Sequence, residues 1–153
     1  ENSGIDLAAI YRPLNNIFLN KTMEKIRKNY ICKVQIKKGK SGTKDLLKYF
    51  KKGYSIALMI DQRVSEGAQV KLFNNIAYTT TIPAQIVKKY NCEIVPVYIY
   101  RLNKSFFKMI VYKPIKFEKD ISIENITQEL NYKLEKMILK NPEQWIWSHD
   151  RWK

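Results

Sequence analysis

Short apolar runs alternate with amphipathic stretches along most of the chain. Ile5–Tyr11 is an apolar run of strand length that ends at Arg12-Pro13, where proline halts regular pairing. Residues 15–29 then set Ile17, Phe18, Met23 and Ile26 on roughly one face of a helix, with charges elsewhere. Lys33–Ile36 reads as a short strand and GKSGT (39–43) as a turn. Thr43 is placed to cap a helix over 44–52, which Gly53 stops. Ser55–Ile60 is a second strand-length apolar run, and it delivers Asp61 at its end.

From Gln62 to Thr79 the sequence is polar and irregular, the signature of a long functional loop. Thr80 or Thr81 caps a helix through Tyr90, with Pro83 in its first turn, where a missing N–H costs nothing. Glu93–Arg101 and Phe106–Tyr112 are β-rich, and Leu102-Asn103-Lys104-Ser105 between them predicts a hairpin. Ile123, Ile126, Leu130, Leu134, Met137 and Ile138 form a stripe at helical spacing after Ser122, and Asn141-Pro142 ends it. With no internal repeat and no linker, the pattern predicts one α/β domain over 1–153, with a mostly parallel or mixed sheet flanked by helices.

Composition adds one unusual fact. The 153 residues are 45% hydrophobic and carry a formal net charge of +14, which is globular rather than disordered but strongly basic. Residues 21–52 hold twelve Lys/Arg against Glu24 and Asp45, so this third supplies +10 of the total. Such a field attracts polyanions: nucleic acid, anionic lipid headgroups or an acidic protein. A solvated lysine-rich surface is the plainer reading. No apolar run is long enough to cross a bilayer. Cys32 and Cys92 make no disulfide framework, which points to a reducing compartment.

Enzymes built on parallel sheets place working groups beyond the carboxyl ends of their strands. Arg12, Asp61 with Arg63, and the segment after Val95-Pro96 fit that rule. Arg12 and Arg63 suit a bidentate clamp on phosphate or carboxylate, or else a structural pair with an aspartate. The only histidine, His149, adjoins Asp150, but no nucleophile motif accompanies it, and packing or a substrate-end contact is the simpler role. One His and two distant Cys exclude zinc spacing, and GKSGT does not complete a P-loop. No metal or cofactor is expected. The aromatic residues Phe106, Phe107 and Tyr112 are assigned to packed strand faces, and Trp145, Trp147 and Trp152 beside Arg151 and Lys153 to a membrane-interface anchor.

Taken in order, IYRPLNN (10–16), GKSGTKDLLKYFKKG (39–53), ALMIDQR (57–63), F..IAYTTTIPAQ (73–85), IVPVYIYR (94–101) and NPEQWIWSHDRWK (141–153) resemble one family. It is that of the late acyltransferases of bacterial lipid A biosynthesis, the lauroyl/myristoyl transferases. The resemblance covers essentially the whole chain and implies a glycerolipid acyltransferase-like fold. It also implies a transferase on the cytoplasmic face of the bacterial inner membrane. The acyl donor would be acyl carrier protein, and the acceptor a hydroxyl of a phosphorylated glycolipid, the lipid A precursor. On this resemblance Arg12 matches the arginine of the second motif block, Asp61-Gln62-Arg63 stands at the third and Val95-Pro96 at the fourth. Arg12 and Arg63 would contact anions, with Asp61 in support, and an anionic membrane surface would be a further partner, but not nucleic acid.

The superfamily's His-x-x-x-x-Asp/Glu motif, in which the carboxylate orients a histidine that deprotonates the acceptor, has no match in the chain. The resemblance places it before Glu1, so the catalytic pair and any membrane anchor are expected upstream, and His149 aligns with the family's C-terminal histidine instead. A different class of function is a basic, non-catalytic module for nucleic acid or an anionic membrane, supported only by charge and aromatic residues.

Overall fold

The computed structural model describes residues 4–152. Glu1 and Lys153 lie outside the described residues, as do the side chains of Lys40 and Ser41. The chain divides into two compact units, Glu1–Met59 and Ile60–Lys153.

In the first unit β1 (Leu7–Tyr11) is the centre of a three-stranded sheet. β2 (Val34–Lys37) and β3 (Ser55–Ala57) pair with it in parallel, with Ala8 opposite Val34 on one side and Ile56 on the other. Parallel neighbours need crossovers, and α1 (Ile17–Tyr30) and α2 (Lys40–Lys51) supply them. Asn16 caps α1 by accepting from the amides of Phe18 and Leu19. GKSGT is not a free turn but the start of α2, with Gly39 rather than Thr43 as its N-cap. Gly42 is required there, because a Cβ would overlap the Lys37 carbonyl oxygen at the end of β2.

The face α1 turns inward differs from the one its apolar residues predict. Asn20, Met23, Glu24 and Arg27 are half-buried, whereas Ile17, Phe18 and Ile26 are exposed. A polar network decides this. Buried Tyr11 donates its hydroxyl to Glu24 at 2.6 Å, Asn20 donates to the same oxygen at 2.8 Å, and Lys37 pairs with it at 3.3 Å. Arg27 lies over the Tyr11 ring, 4.8 Å from its centroid.

The second unit begins where an irregular loop was expected. β4 (Ala68–Leu72) and β5 (Asn75–Thr79) form an antiparallel hairpin across a two-residue turn, Phe73-Asn74, with both residues at positive φ. Alternation along β4 buries Val70 and Leu72 and exposes Gln69 and Lys71. α3 (Ile82–Tyr90) follows with Pro83 in its first turn. β6 (Val97–Asn103) and β7 (Phe106–Val111) make the second hairpin, as its turn residues predict. α4 (Ile123–Ile138), capped by Ser122, carries the predicted stripe. Leu134 and Ile138 pack on Leu72 and Ala77, while Ile126 and Leu130 pack on Ala84 and Val87. The class is mixed α/β, with the strands divided among three small sheets.

The network around Glu24 gives a pH signature. Hydrogen bonds from Tyr11 and Asn20, aided by Lys37, lower the Glu24 carboxyl from 4.5 to about 2. Burial, and then the bond to Glu24, push Tyr11 up to about 12. Because the folded value for Glu24 lies below its ordinary one, its stabilising effect is complete above pH 4.5 and lost as pH falls through 2. A side-chain NMR titration should therefore place Glu24 near 2, and Tyr11→Phe should move it toward 4.5. An unchanged midpoint in that variant would remove Tyr11 as the main cause.

Candidate functional site

The three candidate residues fall in both units, and each unit is described by itself. Arg12 directly follows β1 and is exposed. Beside it, Tyr11 is buried and tied to α1 through Glu24 and Arg27. The backbone that presents Arg12 is thus held on two sides: by pairing to β2 through the Tyr11 carbonyl, which accepts from the Lys38 amide at 2.8 Å, and by the helix network.

In the second unit Asp61 is half-buried, whereas Gln62 and Arg63 are exposed. The residue that organises this loop is Arg151, which no motif argument singled out as a site. Its side chain has no exposed surface at all. Nη1 donates to the Gln62 carbonyl at 2.8 Å and to the Tyr78 carbonyl at 2.7 Å, and Nη2 to Thr79 Oγ1 at 3.1 Å. Burial lowers the Arg151 pKa and the charge of Asp61 opposes that shift. Asp61 Oδ1 and Arg151 Nε are both buried without a hydrogen bond, so the guanidinium grips the loop through the Gln62 carbonyl.

Thr79 is shared further. Asn131 of α4 donates to Thr79 Oγ1 and to the Lys71 carbonyl, both at 3.0 Å. Gly67, just before β4, sits where a Cβ would overlap the Thr79 carbonyl oxygen. Asp61-Gln62 is therefore pinned to the β4–β5 hairpin and through it to α4, and Arg63 projects from a fixed stem. The signal that was present in the sequence is the pairing of an Asp at a strand end with an Arg in the C-terminal block. Nothing in single-sequence spacing says that residues ninety apart meet.

The tryptophans are not a free anchor. Trp145 and Trp152 pack against Leu72, Ala77, Leu134 and Ile138, and Trp152 Nε1 donates to the Leu72 carbonyl at 2.9 Å. Trp145 and Trp147 meet edge-to-face at 4.7 Å, Trp147 stacks on Trp152 at 6.4 Å, and Phe73 closes the group. Of the three only Trp147 is exposed. His149 lies exposed in the short 3-10 turn Trp147–His149. Val95-Pro96 stands immediately before β6, and the segment after it is the strand itself rather than a loop at a carboxyl end. Among the described residues no group of His, Cys, Asp and Glu is arranged to hold a metal ion, and no helix is long and apolar enough to cross a membrane.

Two kinds of group are thus available for chemistry: exposed guanidiniums on fixed backbone, suited to phosphates or a developing oxyanion, and a buried Arg151 whose bonds to the Gln62 and Tyr78 carbonyls stiffen the stem of one of them. The family model described as bacterial lipid A biosynthesis acyltransferase matches residues 2–153. No curated protein matches the chain.

Replacing Arg151 by Met should cost about 1–3 kcal/mol, because it leaves the Gln62 and Tyr78 carbonyls without their donor. Urea denaturation measures this. A loss below about 1 kcal/mol would mean that the loop is held by something other than the guanidinium.

Proposed function

The chain belongs to the bacterial lipid A biosynthesis acyltransferase family, and from that premise we propose that it transfers a fatty acyl group from acyl carrier protein to a hydroxyl of a phosphorylated lipid A precursor. The family match along residues 2–153 carries the reading. In such a transfer the acceptor oxygen attacks the thioester carbonyl carbon. The carbon–sulfur bond then breaks, and the carrier leaves as its thiol with the proton the hydroxyl gives up through a general base. That base is the histidine of the His-x-x-x-x-Asp/Glu pair in the superfamily, and no residue among these 153 is assigned to it.

This chain's own contribution is electrostatic. Arg12 binds an acceptor phosphate or the oxyanion that forms at the thioester carbon, and a rigid β1 end favours that role because preorganised charge needs no rearrangement as the oxyanion forms. Arg63 contacts a second anionic group, with Asp61 acting through Arg151 to hold its loop. The basic stretch 21–52 suits an acidic carrier protein. The reaction is placed at the cytoplasmic face of the inner membrane, and a glycerolipid acyltransferase-like fold accords with the mixed α/β class. No observation favours a nucleic-acid module.

The test is acyl transfer by the complete protein from acyl carrier protein to a phosphorylated glucosamine disaccharide. Arg12→Ala should lower kcat/KM by roughly a hundredfold, the scale of removing one preorganised oxyanion contact. Turnover close to wild type in that variant would remove Arg12 from the site, and no transfer by the wild-type protein would overturn the reading as a whole.

A further inference from the structure

The β6–β7 hairpin has one face turned to the protein and one with no partner. Tyr98 and Tyr100 stack at 5.5 Å on the first face, and the Tyr98 hydroxyl donates to Asn141 Oδ1 at 2.9 Å. Gln144 pairs with both backbone groups of Arg101, at 2.7 and 3.0 Å, and fixes the edge of β6. Register puts Val97 opposite Val111, Ile99 opposite Met109 and Arg101 opposite Phe107 on the other face. The five apolar side chains there are 47% to 63% exposed. Leu102, at the irregularity between Arg101 and Asn103, and Phe106, on the opposite face by alternation, are exposed as well. The packed strand face expected for Phe106 and Phe107 is therefore absent, and a contiguous apolar strip of this kind marks a contact surface.

The hairpin and its flanks carry charge of one sign in sequence. From Ile94 to Phe117 the sequence carries Arg101, Lys104, Lys108, Lys113 and Lys116 and no carboxylate. All five cations are exposed, and the Arg101 guanidinium lies over the Phe107 ring at 4.6 Å, its stem along the apolar surface. Aliphatic and aromatic groups flanked by lysines that reach past them match the layered chemistry of a bilayer surface, with apolar groups beneath an anionic headgroup layer.

We infer that the outward face of the β6–β7 hairpin, led by Phe107 and Met109, docks on an anionic lipid bilayer. The charge complementarity selects this occupant over a second copy of the chain, whose matching face would bring five cations against five. The inference rests on the proposed function only for which membrane is met, and lipid binding is read without any acyl donor. Loss of transfer and loss of binding are therefore separate outcomes.

The experiment is cosedimentation of the protein with vesicles of phosphatidylcholine, with and without phosphatidylglycerol, over a range of salt. Binding should require phosphatidylglycerol and weaken as salt rises. Phe107→Ser with Met109→Ser should reduce the partition coefficient at least about tenfold, and Arg101→Gln with Lys104→Gln by a similar factor with a flatter salt response. All four side chains are exposed, so the thermal midpoint should stay in place. The inference falls if both hairpin variants bind as the wild type does, if Phe18→Ser abolishes binding in their place, or if pure phosphatidylcholine binds equally well. It also falls if the apolar variant instead converts a dimer to a monomer in sedimentation velocity, which would make the face an interface between copies.

Discussion

A two-stranded ribbon cannot satisfy its own backbone, because each strand has only one neighbour and its outer donors and acceptors must find partners elsewhere. The second unit contains two such ribbons, and side chains from the last third of the chain supply those partners. Gln128 accepts from the Lys71 amide and donates to the Lys71 carbonyl, at 2.7 and 3.0 Å, as a neighbouring strand would. Glu135 accepts from the Phe73 amide, Trp152 donates to the Leu72 carbonyl and Arg151 to the Tyr78 carbonyl. Gln144 treats Arg101 of β6 as Gln128 treats Lys71 of β4. The position of α4 and of the C-terminal tail follows as much from this pairing as from the apolar stripe.

What was legible in the sequence divides along the same line. α4 announces itself because Ile126, Leu130, Leu134 and Ile138 recur at helical spacing and Ser122 supplies a cap, so local pattern and tertiary packing agree. β4–β5 was hidden because its turn is Phe73-Asn74 rather than Asn-Gly, and because its strands alternate over only five residues each among polar neighbours. α1 was legible as a helix but not in its orientation. Its packing face is chosen by Tyr11, Glu24 and Arg27, which hydrophobicity alone counts as surface. Of the candidate residues, Arg12 does follow a strand, whereas the strand expected to reach Ile60 stops at Ala57 and leaves Asp61 in the loop beyond it. Arg151 carries no local signal because its partners lie far away in sequence.

The second unit thus buries polar residues, and both units expose apolar ones. Inside are Arg151, Asn131, Thr127 and Thr79; outside are Phe18, Phe106, Phe107 and Met109. Buried polar groups are tolerable only when they are bonded, and the bonds described above account for most of theirs. Exposed apolar groups on a chain of net charge +14 are kept from self-association by repulsion between copies, while an anionic surface receives both the charge and the apolar area. The same composition that opposes aggregation therefore accords with the lipid contact proposed for the β6–β7 hairpin.

The buried Arg151 guanidinium connects this packing to chemistry. A buried charge gains little net stability over well-packed apolar residues of the same shape, so its value lies in where it fixes the backbone. Arg151 grips the Gln62 carbonyl, leaving the Gln62 side chain outside and Arg63 exposed one residue further on. A guanidinium borne on a loop held by its own carbonyls keeps its position without spending its side-chain donors on the protein. Those donors are then available to a ligand. An Arg63 restrained by direct side-chain bonds would have been equally well ordered and chemically used up.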